Sequence, residues 1–238
     1  MRTLSSVLRD TTSKFPNRPA ILDPGGRRLT YAELDQEASR LARGLLDLGV
    51  GKGDKVGLWM PNNPEWVVAY FAIARVGAVV VPMNTRYKTH EVEYILGNSE
   101  ATTLFAVDSF VGIDYLSMID EIRAKLPNLK HVVIVGKTSK DMHRWDDVVA
   151  RGTCLLADGK LEAREKLCDP KDNVFILYTS GTTGKPKGAM LSHHNIAKNA
   201  EQVTEVLRAS DKDVFLLAVP FFHCFGCVMG IAGAITWG

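Results

Sequence analysis

Apolar residues along the chain follow two alternating rhythms. Between 29 and 49, Leu34, Ala38, Leu41, Leu45 and Leu48 recur three or four residues apart, which places them on one face of a helix. Thr30 and Glu33 stand in the capping-box relation, each able to satisfy the other's free backbone N–H, and Gly49 supplies the stop. The run 56–60 is apolar throughout and predicts a strand, Pro61-Asn62-Asn63 a turn, and Pro64 the first residue of another helix, ending near Gly77. Residues 78–81 predict a buried strand. Helical and extended segments continue to alternate: 89–96 helical, 102–107 extended, 112–126 helical, 131–135 extended.

Strands separated by helices imply parallel βαβ units, and strands without polar positions imply that both sheet faces are covered. The predicted class is α/β, with parallel sheets flanked by helices. A first helix with Leu4, Leu8 and Thr11 on one face precedes them. The pattern weakens between 137 and 171, apart from a short helix at 145–149. A subdomain boundary falls there, giving 1–170 as a first α/β unit and 171–238 as the start of a second. Beyond it, 174–178 reads as a strand, 179–188 as a loop, and 192–210 as a helix capped by Ser192. From 214 to 238 the chain carries no Asp, Glu, Lys or Arg. Pro220, His223 and the glycines at 226, 230, 233 and 238 make that stretch a poor membrane span. A buried strand at 214–219, a turn at Pro220 and a buried helix account for it better. The first sheet then covers roughly 55–136, and strands near 174 and 214 begin a second, incomplete one.

Composition narrows the picture. Of 238 residues, 46% are hydrophobic and 24% charged, the balance of an ordinary globular chain. Twenty-nine Lys and Arg against 27 Asp and Glu leave a net charge of +2, which gives no electrostatic footprint for nucleic acid. Cys154, Cys168, Cys224 and Cys227 are too few for a disulfide framework, and the first twenty residues contain no signal-peptide core. Together these favour a reducing, cytoplasmic setting, with no membrane-spanning segment.

Candidate chemistry concentrates in Tyr178-Thr-Ser-Gly-Thr-Thr-Gly-Lys-Pro-Lys-Gly188. Glycines let backbone N–H groups approach a ligand, hydroxyls add donors and lysines add charge, which are the requirements of a phosphate. It is not a Walker loop: Gly181 and Gly184 are three apart, and Pro186 follows Lys185. A flexible Gly/Thr hairpin is the plainer alternative, and the ordered Lys-Pro-Lys-Gly continuation favours phosphate binding over it.

This segment, continued through Ala189-Met-Leu-Ser-His-His-Asn195, resembles the nucleotide-phosphate loop of adenylate-forming enzymes, in their acyl-CoA synthetase branch. Leu29-Thr-Tyr-Ala-Glu-Leu34, Gly77-Ala-Val-Val-Val-Pro-Met-Asn84 and Pro220-Phe-Phe-His-Cys-Phe-Gly226 resemble three further segments of that family, in the same order. The resemblance implies that a carboxylate attacks the α-phosphate of ATP with Mg2+ bound, releasing pyrophosphate, after which the thiol of coenzyme A displaces AMP. Carried over residue by residue, it implies nucleotide contacts from Thr179, Ser180, Gly181, Thr182, Thr183, Gly184, Lys185, Pro186 and Lys187, with Thr183 also near the ATP-bound Mg2+. It implies an acid pocket bordered by His223, Phe222, Phe225 and Gly226. The attacking carboxylate is already ionised near neutral pH, so His223 is expected to line the pocket without acting as a base. Cys224, Cys227 and His223 could instead be read as metal ligands, but the apolar flanks and the lack of a second pair argue against it.

The segment around His223 resembles fatty acyl-CoA synthetases more than amino-acid-activating domains, which implies a medium- or long-chain fatty acid, with aryl acids, a non-catalytic interaction module and another nucleotide-dependent transferase as alternatives. Family members also carry a Glu that holds Mg2+, an Asp for the ribose and a mobile C-terminal lid domain with a catalytic Lys. Those motifs do not occur in 1–238, so the expectation is an N-terminal portion inactive by itself. An exposed 214–238 surface is expected to favour a homo-oligomer or peripheral membrane contact.

Overall fold

The computed structural model describes residues 1–155, 159–179 and 185–238. Helix α1 (Leu4–Lys14) begins at Thr3, whose hydroxyl accepts from the Ser6 amide. It leads to a small hairpin of β1 (Pro19–Leu22) and β2 (Arg28–Thr30), and then to α2 (Tyr31–Asp47), which has the expected Thr30–Glu33 capping box. Strand β3 (Lys55–Trp59) follows, then α3 (Pro64–Arg75), capped by Asn63 with Pro64 in its first turn. Next come β4 (Val79–Pro82), α4 (Thr89–Asn98) and β5 (Thr103–Val107). The segment expected to be helical from 112 starts as a two-residue-strand hairpin, β6 (Ser109–Phe110) and β7 (Ile113–Asp114), before α5 (Tyr115–Arg123). Then follow β8 (His131–Val135), β9 (His143–Arg144), α6 (Trp145–Cys154) and α7 (Lys160–Lys166). Strands β10 (Asn173–Thr179) and β11 (Lys187–Ser192) precede α8 (His193–Val206), whose capping box pairs Ser192 with Asn195. A π-helical segment (Phe225–Ala232) continues into α9 (Gly233–Trp237).

The main sheet has seven strands in the order β11-β10-β4-β3-β5-β8-β9, parallel except where β11 returns beside β10. The α/β class and the helix-flanked, mainly parallel sheet are as the sequence predicts. Two details differ. The strand expected near 174 does not open a second sheet; β10 pairs with β4, Phe175 opposite Val80, and extends the first. The strand expected at 214–219 does not form, and Val214 and Leu216 are 81% and 93% exposed. Apolar composition signalled burial there, but a strand also needs a neighbouring strand to take its backbone hydrogen bonds, and none lies beside it among the described residues.

Side-chain alternation divides the sheet into two buried faces. Gly57 and Trp59 of β3 face α4 and α5: Trp59 stacks on Tyr115 at 3.9 Å, and a Cβ on Gly57 would come within 2.7 Å of Leu96. Phe105, opposite Leu58, faces the other way and meets Trp145 of α6 edge-on at 5.6 Å. On that side α6 crosses α2 so closely that a Cβ on Gly152 would lie 1.7 Å from the Arg40 carbonyl oxygen. Helix α3 is buried along its whole length, from Pro64 through Arg75, as expected of a helix apolar on all sides. Its charged end is matched: the Arg75 guanidinium pairs with Asp35 and donates to the Ser39 hydroxyl at 2.5 Å.

Candidate functional site

In an open parallel sheet, ligand sites collect where strands end at their carboxyl edge, because the connecting loops and helix N-termini converge there. Three adjacent strands in this sheet, β10, β4 and β3, carry the candidate segments at that edge. With neighbouring strands about 4.8 Å apart, the ends of β10 and β3 lie roughly 10 Å from one another.

Strand β10 ends at Thr179, and its antiparallel return β11 starts at Lys187, directly opposite Thr179 in the register. The Thr179 hydroxyl donates to the Lys187 carbonyl at 3.5 Å, closing the neck. Ser180, Gly181, Thr182, Thr183 and Gly184, with the nucleotide contacts and the Mg2+ role expected of them, lie outside the described residues. Lys185 and Lys187 are exposed and make no ion pair with any described residue, so their charge is available to an anion. Uncompensated ammonium groups flanking a Gly/Thr loop fit a polyphosphate.

The neck is held from the side by α4. Tyr94 donates its hydroxyl to the Pro186 carbonyl at 3.1 Å, and the Lys185 ammonium sits 5.7 Å from the centre of its ring. Tyr178, the last apolar residue of β10, donates to the Asn98 side-chain oxygen at 2.6 Å and meets Tyr94 edge-on at 6.5 Å. Burial pushes the Tyr178 phenol up to about 12, so it remains a hydrogen-bond donor at all ordinary pH values. Sequence reasoning overlooked Tyr94 and Asn98, since their partners lie 80 or more residues away along the chain.

At the end of β4, Asn84 is fixed from two sides: its carbonyl accepts from the Trp59 indole at 3.1 Å, and its side chain from the Arg86 amide at 2.9 Å. At the end of β3, Asn62 binds the segment leading to His223. Its amide donates to the Val219 carbonyl at 2.8 Å and its oxygen accepts from the Phe221 amide at 2.9 Å. The side-chain amide of Asn62 thus takes the place of a strand neighbour for residues 219–221.

His223 is exposed, and its Nδ1 accepts from the Phe225 amide at 3.2 Å, which leaves the neutral ring's proton on Nε2. Phe222 is half-buried and Phe225 is 51% exposed. Gly226 is buried and packed against the chain's own backbone, where a Cβ would lie 2.2 Å from the Pro220 carbonyl oxygen. Phe222 and His223 lie in the turn before the π-helical segment, and Phe225 and Gly226 open that segment. A groove beside it, about 450 Å³, is lined by other side chains, including Ile21, Val67, Leu217, Phe221 and Ile235. The described residues form no hydrogen bond, ion pair or ring contact between this turn and the 179–187 neck; the sheet edge alone relates them. Cys227 is buried and its thiol held well protonated by that burial, while Cys224 is exposed, with its sulfur 3.7 Å from the His223 Nδ1. Among the described residues no three His, Cys, Asp or Glu side chains gather as a metal site, and no helix is long and apolar enough to cross a membrane.

Fold and edge together define an α/β domain that places Thr179, Lys185 and Lys187 at the carboxyl end of a parallel sheet. The chain belongs to the AMP-binding enzyme family, whose model matches residues 8–238. It is 38% identical over 99% of its length to YngI of Bacillus subtilis, a candidate acyl-CoA synthetase, and covers 46% of that protein. It is 31% identical over its whole length to the human mitochondrial medium-chain acyl-CoA ligase ACSF2, covering 42% of it. Among solved structures, the anthranilate CoA ligase AuaEII in complex with anthranoyl-AMP matches the whole chain with a TM-score of 0.85 at 26% identity, over 44% of that protein. The chain therefore spans less than half the length of these relatives.

Proposed function

We propose that this chain supplies the nucleotide-phosphate site and one wall of the acid site of an enzyme that joins a carboxylic acid to coenzyme A through an acyl-adenylate. The observation that supports this best is the neck of β10 and β11 at the carboxyl edge of the parallel sheet, where Lys185 and Lys187 are exposed and make no ion pair with any described residue. ATP with Mg2+ would supply the electrophilic phosphorus and the pyrophosphate leaving group. The chain's own contribution is to orient the phosphates and neutralise the charge that grows on the departing pyrophosphate. In this reading Lys187, Lys185, Thr182 and Thr183 are the principal phosphate ligands, with Thr183 near the Mg2+. Thr179, Ser180, Gly181, Gly184 and Pro186 shape the loop. The acid arrives as a carboxylate and needs no proton removed. His223, Phe222, Phe225 and Gly226 would border its apolar part. We favour a medium- or long-chain fatty acid, on the resemblance of residues 220–226 to the corresponding segment of fatty acyl-CoA synthetases, with an aryl acid as the second reading. The four unpaired cysteines suit a reducing compartment.

The test is Lys187→Ala in the complete enzyme, assayed by ATP–pyrophosphate exchange against a panel of fatty and aryl acids. Loss of one charge-assisted phosphate contact is expected to lower exchange about ten- to a hundredfold, with the affinity for the acid unchanged. Unchanged exchange would reject the assignment of Lys187, and a preference for aryl acids would reject the fatty-acid reading.

A further inference from the structure

The lateral support of the neck by α4 has a consequence for the phosphate site. Tyr94 and Asn98 are four residues apart and so project from one face of the helix, one turn from each other. Between them they hold both legs of the strand pair. Asn98 takes the β10 leg through the Tyr178 hydroxyl at 2.6 Å, and Tyr94 takes the leg entering β11 through the Pro186 carbonyl at 3.1 Å. Without α4, this end of the sheet would be weakly determined. Strand β11 is an edge strand whose residues 187–190 are all exposed, and Thr179 and Lys187 are joined at the neck by a hydrogen bond of 3.5 Å. An exposed edge pair with few buried contacts is the part of a fold that opens first.

Helix α4 is itself well fixed, since Val92, Ile95 and Leu96 are buried and Leu96 packs against Gly57 of the central strand. It can therefore impose a position on the neck. The Tyr94 ring also faces the Lys185 ammonium at 5.7 Å, a cation–π distance, so the same side chain that fixes Pro186 biases where the neighbouring charge rests.

We propose that Tyr94 and Asn98 are positioning residues for the phosphate site: from outside the loop they hold its two legs, and with them Lys185 and Lys187, in the arrangement that receives a pyrophosphate group. The inference rests on the nucleotide reading of the loop, and its test separates the two. Five forms of the complete enzyme are compared: the unaltered protein, Tyr94→Leu, Tyr94→Phe, Asn98→Leu and Asn98→Asp. The first readout is amide hydrogen exchange. In both Leu variants, exchange over 176–179 and 187–190 should quicken by about tenfold, while the amides of β3 and β5 keep their rates. Tyr94→Phe retains the ring and loses the bond to Pro186, so it should lie between. Asn98→Asp retains an acceptor for Tyr178 and should behave as the unaltered protein.

The second readout is calorimetric titration with ATP, inorganic pyrophosphate and AMP. The Leu variants should bind ATP and pyrophosphate about five- to tenfold more weakly, with AMP unchanged because it lacks the outer phosphates. Unchanged exchange at the neck in both Leu variants overturns the positioning role. Faster exchange with undiminished pyrophosphate affinity overturns its link to the phosphate site. If the unaltered protein binds neither ATP nor pyrophosphate, the nucleotide reading fails for this chain and the proposed link fails with it, while the exchange arm still decides whether α4 holds the neck.

Discussion

Two apolar stretches of nearly the same character meet opposite fates. Residues 78–83, Ala-Val-Val-Val-Pro-Met, become β4 and its flanks and are buried throughout, with β3 on one side and β10 on the other. Residues 214–219, Val-Phe-Leu-Leu-Ala-Val, form no strand, and Leu216 remains 93% exposed. Hydrophobicity cannot separate them. Partners can: each β4 residue has strand backbone beside it, whereas 217–221 is met by the side chain of Asn62. An apolar run states that burial is favourable; the neighbours available decide whether it happens as a strand.

The comparison is broken most severely by placing a charge in each stretch. Val80 is fully buried at the centre of the sheet, opposite both Val56 and Phe175. Val80→Asp puts an unpaired carboxylate where no solvent reaches, and the expected loss exceeds about 4 kcal/mol. The variant should be unfolded by circular dichroism at 25 °C. A cooperative melt within a few degrees of the parent would mean that β4 is not the core element described.

What was legible in the sequence follows the same division. Helix starts are local: Thr30 with Glu33, Pro64 in a first turn, and Ser192 as a cap all form where the pattern places them, while Asn63, read as a turn residue, also caps α3. Helix α3 and the four central strands are long apolar signals and are found within a residue or two. The β1–β2 hairpin and β11 escaped because neither has an apolar alternation; β11 exists through its register with β10. The candidate loop was readable from its own composition, since glycine, threonine and lysine are chosen there for chemistry. Its supports were not: Tyr94, Asn98 and Asn62 look like ordinary helix and turn residues, and their roles appear once distant segments come together.

A second effect concerns a buried histidine outside both stretches. His193 opens α8 and is 1% exposed; its Nδ1 accepts from the Leu4 amide at 3.2 Å, and its Nε2 has no hydrogen-bond partner among the described residues. Burial lowers its proton affinity from the usual 6.5 to about 4, Asp172 opposing and Lys52 assisting. The folded ring is therefore neutral where the unfolded ring takes a proton. Stability is full above about pH 6.5 and falls as pH drops toward 4, by up to about 3 kcal/mol at roughly 1.4 kcal/mol per unit. His131 and His143, also lowered mainly by burial, act in the same direction. Denaturant melts of the parent and His193→Gln at pH 7.5 and pH 5 isolate the His193 share. Equal losses in both proteins would remove it from the account.

Smaller still is the tether itself. Asn62 is exposed but holds 219–221 through two hydrogen bonds shorter than 3 Å. Asn62→Ala should cost about 1 kcal/mol of global stability. Its effect on amide exchange should be concentrated in residues 217–223, since no other described side chain hydrogen-bonds the backbone of 217–221. Even loss of protection across β3, β4 and β5 would show that Asn62 supports the sheet edge and not the segment beyond it.

The smallest effect is the mirror of the first. Leu216 carries as much apolar surface as the leucines of the core, yet at 93% exposure it has almost none to lose. Leu216→Asp should therefore change the stability of this chain by less than about 0.5 kcal/mol, the range of ordinary surface positions. The same residue type is fully buried at Leu58, where truncation to alanine is expected to cost about 2–5 kcal/mol. Parallel urea melts of the two variants turn the contrast into a ratio. A loss above about 1.5 kcal/mol for Leu216→Asp would mean that 214–219 is covered in solution, and a concentration-dependent midpoint would identify the cover as a second copy of the chain. A loss near zero would establish that the outward-facing residues of an apolar stretch resembling β4 in composition contribute nothing to this fold until a partner reaches them, while Leu217 packs against the core.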